Sequence, residues 1–200
     1  MAIVIQPFSQ DVFNSLPTLE QAGSRFDRLD TKRIIDEELQ PLFRKHAVED
    51  LFGLQLLHQH FALHDGEYLT EINGNSTPMY LDNYQQLHAF PTVWKTEDEN
   101  GKFVFRPLEY GVGTGNEEID RASPYAEENI HSVLDIYKDF FRDLHLALNA
   151  HDLQGLFGLA RHPGTKYPGR LEITLGRSNI NLTPAQVSVT DSSMGSSTLD

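Results

Sequence analysis

The chain has no cysteine. Disulfides, thiolate metal centres and cysteine nucleophiles are therefore excluded, and the composition suits a reducing compartment. Long apolar runs are also missing, and no stretch approaches the roughly 18 residues that a membrane span needs. The first residues, Met1-Ala2-Ile3-Val4-Ile5-Gln6-Pro7, have neither the basic flank nor the apolar core of a secretory leader. Positive charge is scarce: 16 Lys and Arg stand against 29 Asp and Glu, a formal charge of −13. Nucleic-acid binding rests largely on Lys and Arg against phosphate, and anionic membranes attract the same residues. The chain is therefore expected to be soluble, acidic and cytoplasmic, with no nucleic acid and no membrane among its partners.

What is present is ordinary globular composition: 200 residues, 39% hydrophobic and 22% charged. A chain of this size can bury a core without disulfide or metal staples. Ile3 to Ile5 suits a short strand, and the rest of residues 1–27 reads as loop. Ile34, Ile35, Leu39, Leu42 and Phe43 recur at helical spacing after Asp30, with Pro41 placed to kink or split that helix. Glu49 and Asp50 suit the start of a second helix carrying Leu54, Leu57 and Phe61. Glu67 to Ile72 reads as a strand before the turn Asn73-Gly74-Asn75. Leu87 to Lys95 and Lys102 to Tyr110 read as a hairpin closed near Asn100-Gly101.

Ser123-Pro124 opens a long helix over about residues 124–149, whose stripe from Ile130 to Leu148 is apolar. Leu156 to Ala160 and Arg170 to Leu175 read as closing strands. The order predicts an α+β fold: a mostly antiparallel sheet of about five strands, with helices on one face. The domain is placed at 1–183, and the tail 184–200 is expected to be disordered.

Nine histidines are many for this length, and His58, His60 and His64 are the densest group. Imidazoles bind divalent transition ions, and three with an open position would make a catalytic centre. On a strand all three would share a face. On the helix predicted here, His60 and His64 are neighbours and His58 points elsewhere. A further ligand would then come from His88, Glu67 or Glu71. The plainer reading makes them half-exposed residues at a helix end.

Residues 161–177 hold Arg161, Lys166, Arg170 and Arg177 against one acid, Glu172. Arg161 and Arg170 are candidates to hold an anionic small molecule, and Trp94, the single tryptophan, to line its pocket. Charge balancing and core packing are the plainer alternatives. Gly111-Val112-Gly113-Thr114-Gly115-Asn116 ends a hairpin strand and is followed by Glu117, Glu118 and Asp120, a setting that fits a connecting loop rather than a phosphate cradle. On the long helix, His131, Asp135, Lys138, Arg142 and His145 form a stripe expected to face solvent.

The spacing His58-x-His60 is similar to the first cupin motif, but His64 stands where that family has glutamate and no second cupin motif follows. The stretch Val48-Glu49-Asp50-Leu51-Phe52-Gly53-Leu54-Gln55-Leu56-Leu57-His58-Gln59-His60-Phe61, followed by Gly66-Glu67, resembles a segment of a family of fungal proteins without assigned function. That resemblance implies no reaction and no site residue. The sequence thus points to a small-molecule enzyme centred on the histidines, with a divalent metal ion as cofactor. The alternative is a non-catalytic ligand-binding or protein-interaction domain with an acidic surface.

Overall fold

The computed structural model describes residues 2–72, 74–80, 89–112, 127–162, 169 and 171–187, with backbone alone at 127–131. Of the tail expected at 184–200, residues 184–187 form a helical turn; 188–200, His88, the Ser123-Pro124 cap and most of the 111–116 loop lie outside the described residues.

The fold is α+β, but its sheet is larger than expected. Nine strands form one mixed sheet curled into a half-barrel. The strands are β1 (Ala2–Ile5), β2 (Phe52–Leu56), β3 (Glu67–Ile72), β4 (Asn75–Tyr80), β5 (Ala89–Glu99), β6 (Lys102–Val112), β7 (Phe157–Arg161), β8 (Leu171–Leu175) and β9 (Ser178–Leu182). Their spatial order is β2-β7-β5-β6-β3-β4-β9-β8, with β1 also on β6. Six of the eight pairings are antiparallel, but β1 and β3 both pair with β6 in parallel, so the sheet is mixed and larger than the five strands expected. Such parallel pairings join distant segments and leave no turn signal between them.

The hairpin β5–β6 sits in the middle, closed by Asn100 and Gly101, both in the left-handed region at φ 55° and 77°. That is the two-residue turn Asn-Gly favours. Register irregularities between Pro91 and Trp94 add twist there.

Helices α1 (Gln10–Asn14) and α2 (Leu19–Arg28) occupy the region read as loop. Their signals are short: Ser9 caps α1, and Thr18 and Gln21 form a capping box on α2. Next come α3 (Thr31–Ile34), a π-helical turn (Ile35–Leu39) and α4 (Gln40–Lys45). Pro41 splits the helix as expected: it has no N–H to give the preceding turn, and the ladder widens ahead of it. The long helix is observed as α5 (Glu127–Ile136) and α6 (Lys138–Ala150), broken at Tyr137.

The main core lies between the sheet and α3–α6. Phe52, Phe140, Phe141, Leu144 and Trp94 meet there, and Phe52 stacks on Phe140 with centroids 5.7 Å apart. His145 belongs to this core rather than to a solvated stripe. It is buried against Phe103, and its Nε2 lies 3.1 Å from Asp98. A second, smaller cluster gathers Phe13, Leu16, Leu57, Leu63 and Val93. Among the described residues no helix is long and apolar enough to cross a membrane.

β7 must pass close to its neighbours. A Cβ on Gly158 would lie 2.6 Å from the Trp94 carbonyl oxygen and 2.6 Å from Leu57 Cδ2, whereas one on Gly53 would meet nothing within 4 Å. Gly158→Ala should cost about 1–3 kcal/mol in chemical denaturation, and Gly53→Ala far less. Equal stability of the two variants would contradict the packing described.

Candidate metal centre and its cavity

Residues 52–64 are not a helix. Phe52–Leu56 is β2, and the chain continues in an irregular path to Glu67. Gly53 weakens a helix here. The hydrophobes also serve two cores, Phe52 the main one and Leu57 the smaller one. Past Leu57 the segment is pinned by side chains. Gln59 donates from its backbone N to Pro17 O (2.9 Å) and from Nε2 to Asn14 O (2.8 Å) and Leu16 O (2.7 Å). Asn14 brackets Leu63, accepting from its N–H at 2.8 Å and donating to its carbonyl at 3.0 Å.

With Gln59 turned toward Asn14, its neighbours His58 and His60 turn together the other way. Their rings lie 4.7 Å apart and nearly perpendicular, with Nε2 atoms separated by 2.9 Å. The third member comes from the far end of the sheet. Glu172 Oε2 on β8 lies 3.5 Å from His58 Nε2 and 3.2 Å from His60 Nε2. The two imidazoles are largely withdrawn from solvent, at 13% and 15% exposure, whereas the Glu172 side chain keeps 34%. β2 and β8 end the strand order, so this cluster joins the two lips of the half-barrel.

His64 is not part of it. Its side chain is exposed and faces Glu67 and Arg177 (Nδ1 to Nη1, 3.4 Å). Glu67 is buried and receives a two-pronged contact from Arg177, with Nη1 to Oε1 at 2.9 Å, and an N–H from His64 at 2.6 Å. Arg177 also donates to Ala62 O at 3.0 Å. It sits in the β8–β9 turn, so this contact clamps the hairpin that carries Glu172 onto the pinned segment that carries the histidines. The Arg177 guanidinium holds the Glu67 carboxyl below its ordinary pKa.

The cluster opens on a cavity of about 700 Å³ in the hollow of the sheet, whose wall includes His58, Glu172, Glu71, Ser76, Glu109 and Arg161. Arg161 is on its rim, 5.3 Å from the centroid of the Phe90 ring. Trp94 is elsewhere: its ring lines a small void in the helix-side core with Phe52, Phe105 and Phe141, and its neighbour Val93 reaches the cavity. Burial in a cleft-free core is the ordinary fate of tryptophan. Arg170 lies outside the described residues.

Sequence reasoning found the two histidines and missed Glu172. It was visible only as the lone acid in a basic stretch, and 112 positions separate it from His60.

Electrostatics ties the three together. A hydrogen bond to Glu172 is the main cause that raises His58 above its ordinary 6.5, with the Leu56 carbonyl and the Glu109 charge adding to it against burial. The same bond lowers Glu172 from 4.5. The raised histidine contributes stability fully below 6.5 and loses it as pH climbs through its folded pKa. The lowered carboxyl contributes above 4.5 and loses it as pH falls through its own. In chelator-treated protein, the stability difference between wild type and Glu172→Gln should therefore peak in the mildly acidic range and shrink toward alkaline pH. Urea midpoints across pH measure this, and a pH-independent difference would show that the pair does not titrate as described.

No family model, curated protein or solved structure matches this chain.

Proposed function

We propose that the protein is a metal-dependent enzyme acting on a small molecule, with a divalent transition ion held by His58, His60 and Glu172. One observation carries the reading: two imidazole nitrogens and a carboxylate oxygen converge at the mouth of a 700 Å³ cavity. Protein donors bind zinc at about 2.0–2.2 Å, which puts tetrahedral donors about 3.3 Å apart. The three separations here are 2.9, 3.5 and 3.2 Å. Shifts of a few tenths of an ångström (about the slack of a side-chain rotamer) would complete the geometry.

His58 is prepared for this role. Its Nδ1 lies 2.9 Å from the Leu56 carbonyl, so Nδ1 carries the proton and Nε2 presents a lone pair to the centre. Metal-bound histidines are oriented in this way. Two histidines and one carboxylate would leave coordination positions open to water or substrate, and two of the three donors, His58 and Glu172, line the cavity. A bound ion there would polarise a substrate oxygen or generate a hydroxide near neutral pH. The absence of cysteine supports an assignment to the cytoplasm.

The same cavity with no metal favours a second reading, a ligand-binding domain whose lips are tied by the His–Glu ion pair. Metal content separates the two. Mass spectrometry on untagged protein, followed by zinc, iron(II) and copper titration, should show one ion per chain. His58→Ala, His60→Ala and Glu172→Gln should each weaken binding by at least about 100-fold, beyond the 10–100-fold typical of outer-shell changes. His64→Ala should bind like wild type. Protein that takes up no ion, or loses it on changing His64, would sink the metal reading.

A further inference from the structure

The cavity wall is chemically uneven. At the lips are His58, Glu172 and Arg161, with His162 beside them. The floor belongs to the middle of the strand order, where β6, β3 and β4 adjoin. There Glu109 and Ser76 are more than nine-tenths buried, and the Ser76 hydroxyl donates to Glu109 Oε1. Glu71 stands directly across from Ser76 in the β3–β4 ladder and opposite Gly111 on β6. Two carboxylates thus flank one hydroxyl. Gly111 keeps the wall low beside them, because a Cβ there would run into Thr92 at 2.7 Å.

A carboxylate accepts at about four lone-pair sites, so bonds within the protein do not exhaust it. Attraction between an ammonium and a carboxylate is stronger in a walled, low-dielectric hollow than in water. An anionic ligand end placed on this floor would meet like charge instead. At the lips the preference reverses, because an ion on His58, His60 and Glu172 seeks an electron-pair donor and Arg161 adds a guanidinium.

We propose that the ligand is a small primary amine carrying a carboxylate or carbonyl oxygen at its other end, with the ammonium against Glu109 and Glu71 and the oxygen at the lips. The floor assignment stands on the cavity alone, and the placement of the oxygen rests on the metal reading above. A cavity of 700 Å³ falls within the roughly 300–1,000 Å³ of small-molecule sites.

Calorimetric titration of the full chain with 5-aminopentanoate, pentanoate, pentylamine and glutarate tests both ends. In zinc-loaded protein, 5-aminopentanoate should bind at least tenfold more tightly than pentanoate or pentylamine, with glutarate weakest. Glu109→Gln should erase the preference over pentanoate; Glu71→Gln, on the half-exposed neighbour, makes the same test should Glu109→Gln fail to fold. In metal-free protein pentylamine should still exceed pentanoate. That result in a protein that takes up no zinc would retain the ammonium floor while the metal reading fails. Glutarate or pentanoate binding as well as the amines, a preference that survives both variants, or no binding of any probe would overturn the proposal.

Discussion

Strand β6 has two edges and three partners. β5 takes one edge along its whole length. On the other edge β1 pairs with 102–105 and β3 with 109–111. The change of partner has to fall between them, and Pro107 stands there. Proline has no N–H for a ladder, so within a sheet it is tolerated where a neighbour is missing or a bulge intervenes. Directly across from it is Trp94, at the irregularity in β5. Local twist from that irregularity and the switch of partner turn the sheet out of plane together. The hollow of the half-barrel depends on that curl.

Curling brings β2 and β8 within reach, but does not fix where they meet. The Arg177–Glu67 contact does that. Glu67 is buried and charged, and it is tolerable because a guanidinium fork and a backbone N–H satisfy it. Buried ion pairs are weak evidence for net stability, since desolvation offsets much of the attraction. Their geometry is nonetheless demanding, and removing one partner strands a charge. The contact therefore acts as a locator: it sets the β8–β9 hairpin against Ala62, and Glu172, five residues back along β8, falls over the histidines.

Local elements were legible where a signal lay within a few residues. β3 was read with its observed ends, the Asn-Gly turn of β5–β6 was recognised, and Pro41 marked the break in the helix. What failed was of two kinds. Leu54, Leu57 and Phe61 match a helical period, but they divide between two apolar clusters, so tertiary partition overrode a local pattern. β1, β3 and β6 associate in parallel, and β9 completes the sheet from a serine-containing segment that carries little apolar weight. Neither leaves a mark in the neighbourhood of the strand concerned. For the site, the histidine pair was readable from its spacing, although the helix inferred for it pointed to His64 as the third member. The real neighbour, Glu172, could come only from the closure of the sheet.

That asymmetry has a mechanical consequence. His58 and His60 are two residues apart on a segment held by Gln59 and Asn14, so their separation is set locally. Glu172 reaches them from a different lip. Any opening of the half-barrel would take the carboxylate away while leaving the imidazoles together. A shared proton between His58 and Glu172 is one tie across the gap, and an ion bound to all three donors would be a stronger one, since a ligand that binds only the closed arrangement stabilises it in proportion to its affinity. The two ties exclude each other, because the lone pair that takes the proton is the one that would take the metal. Closure of the cavity is therefore linked to both proton and ion, and the two compete for it.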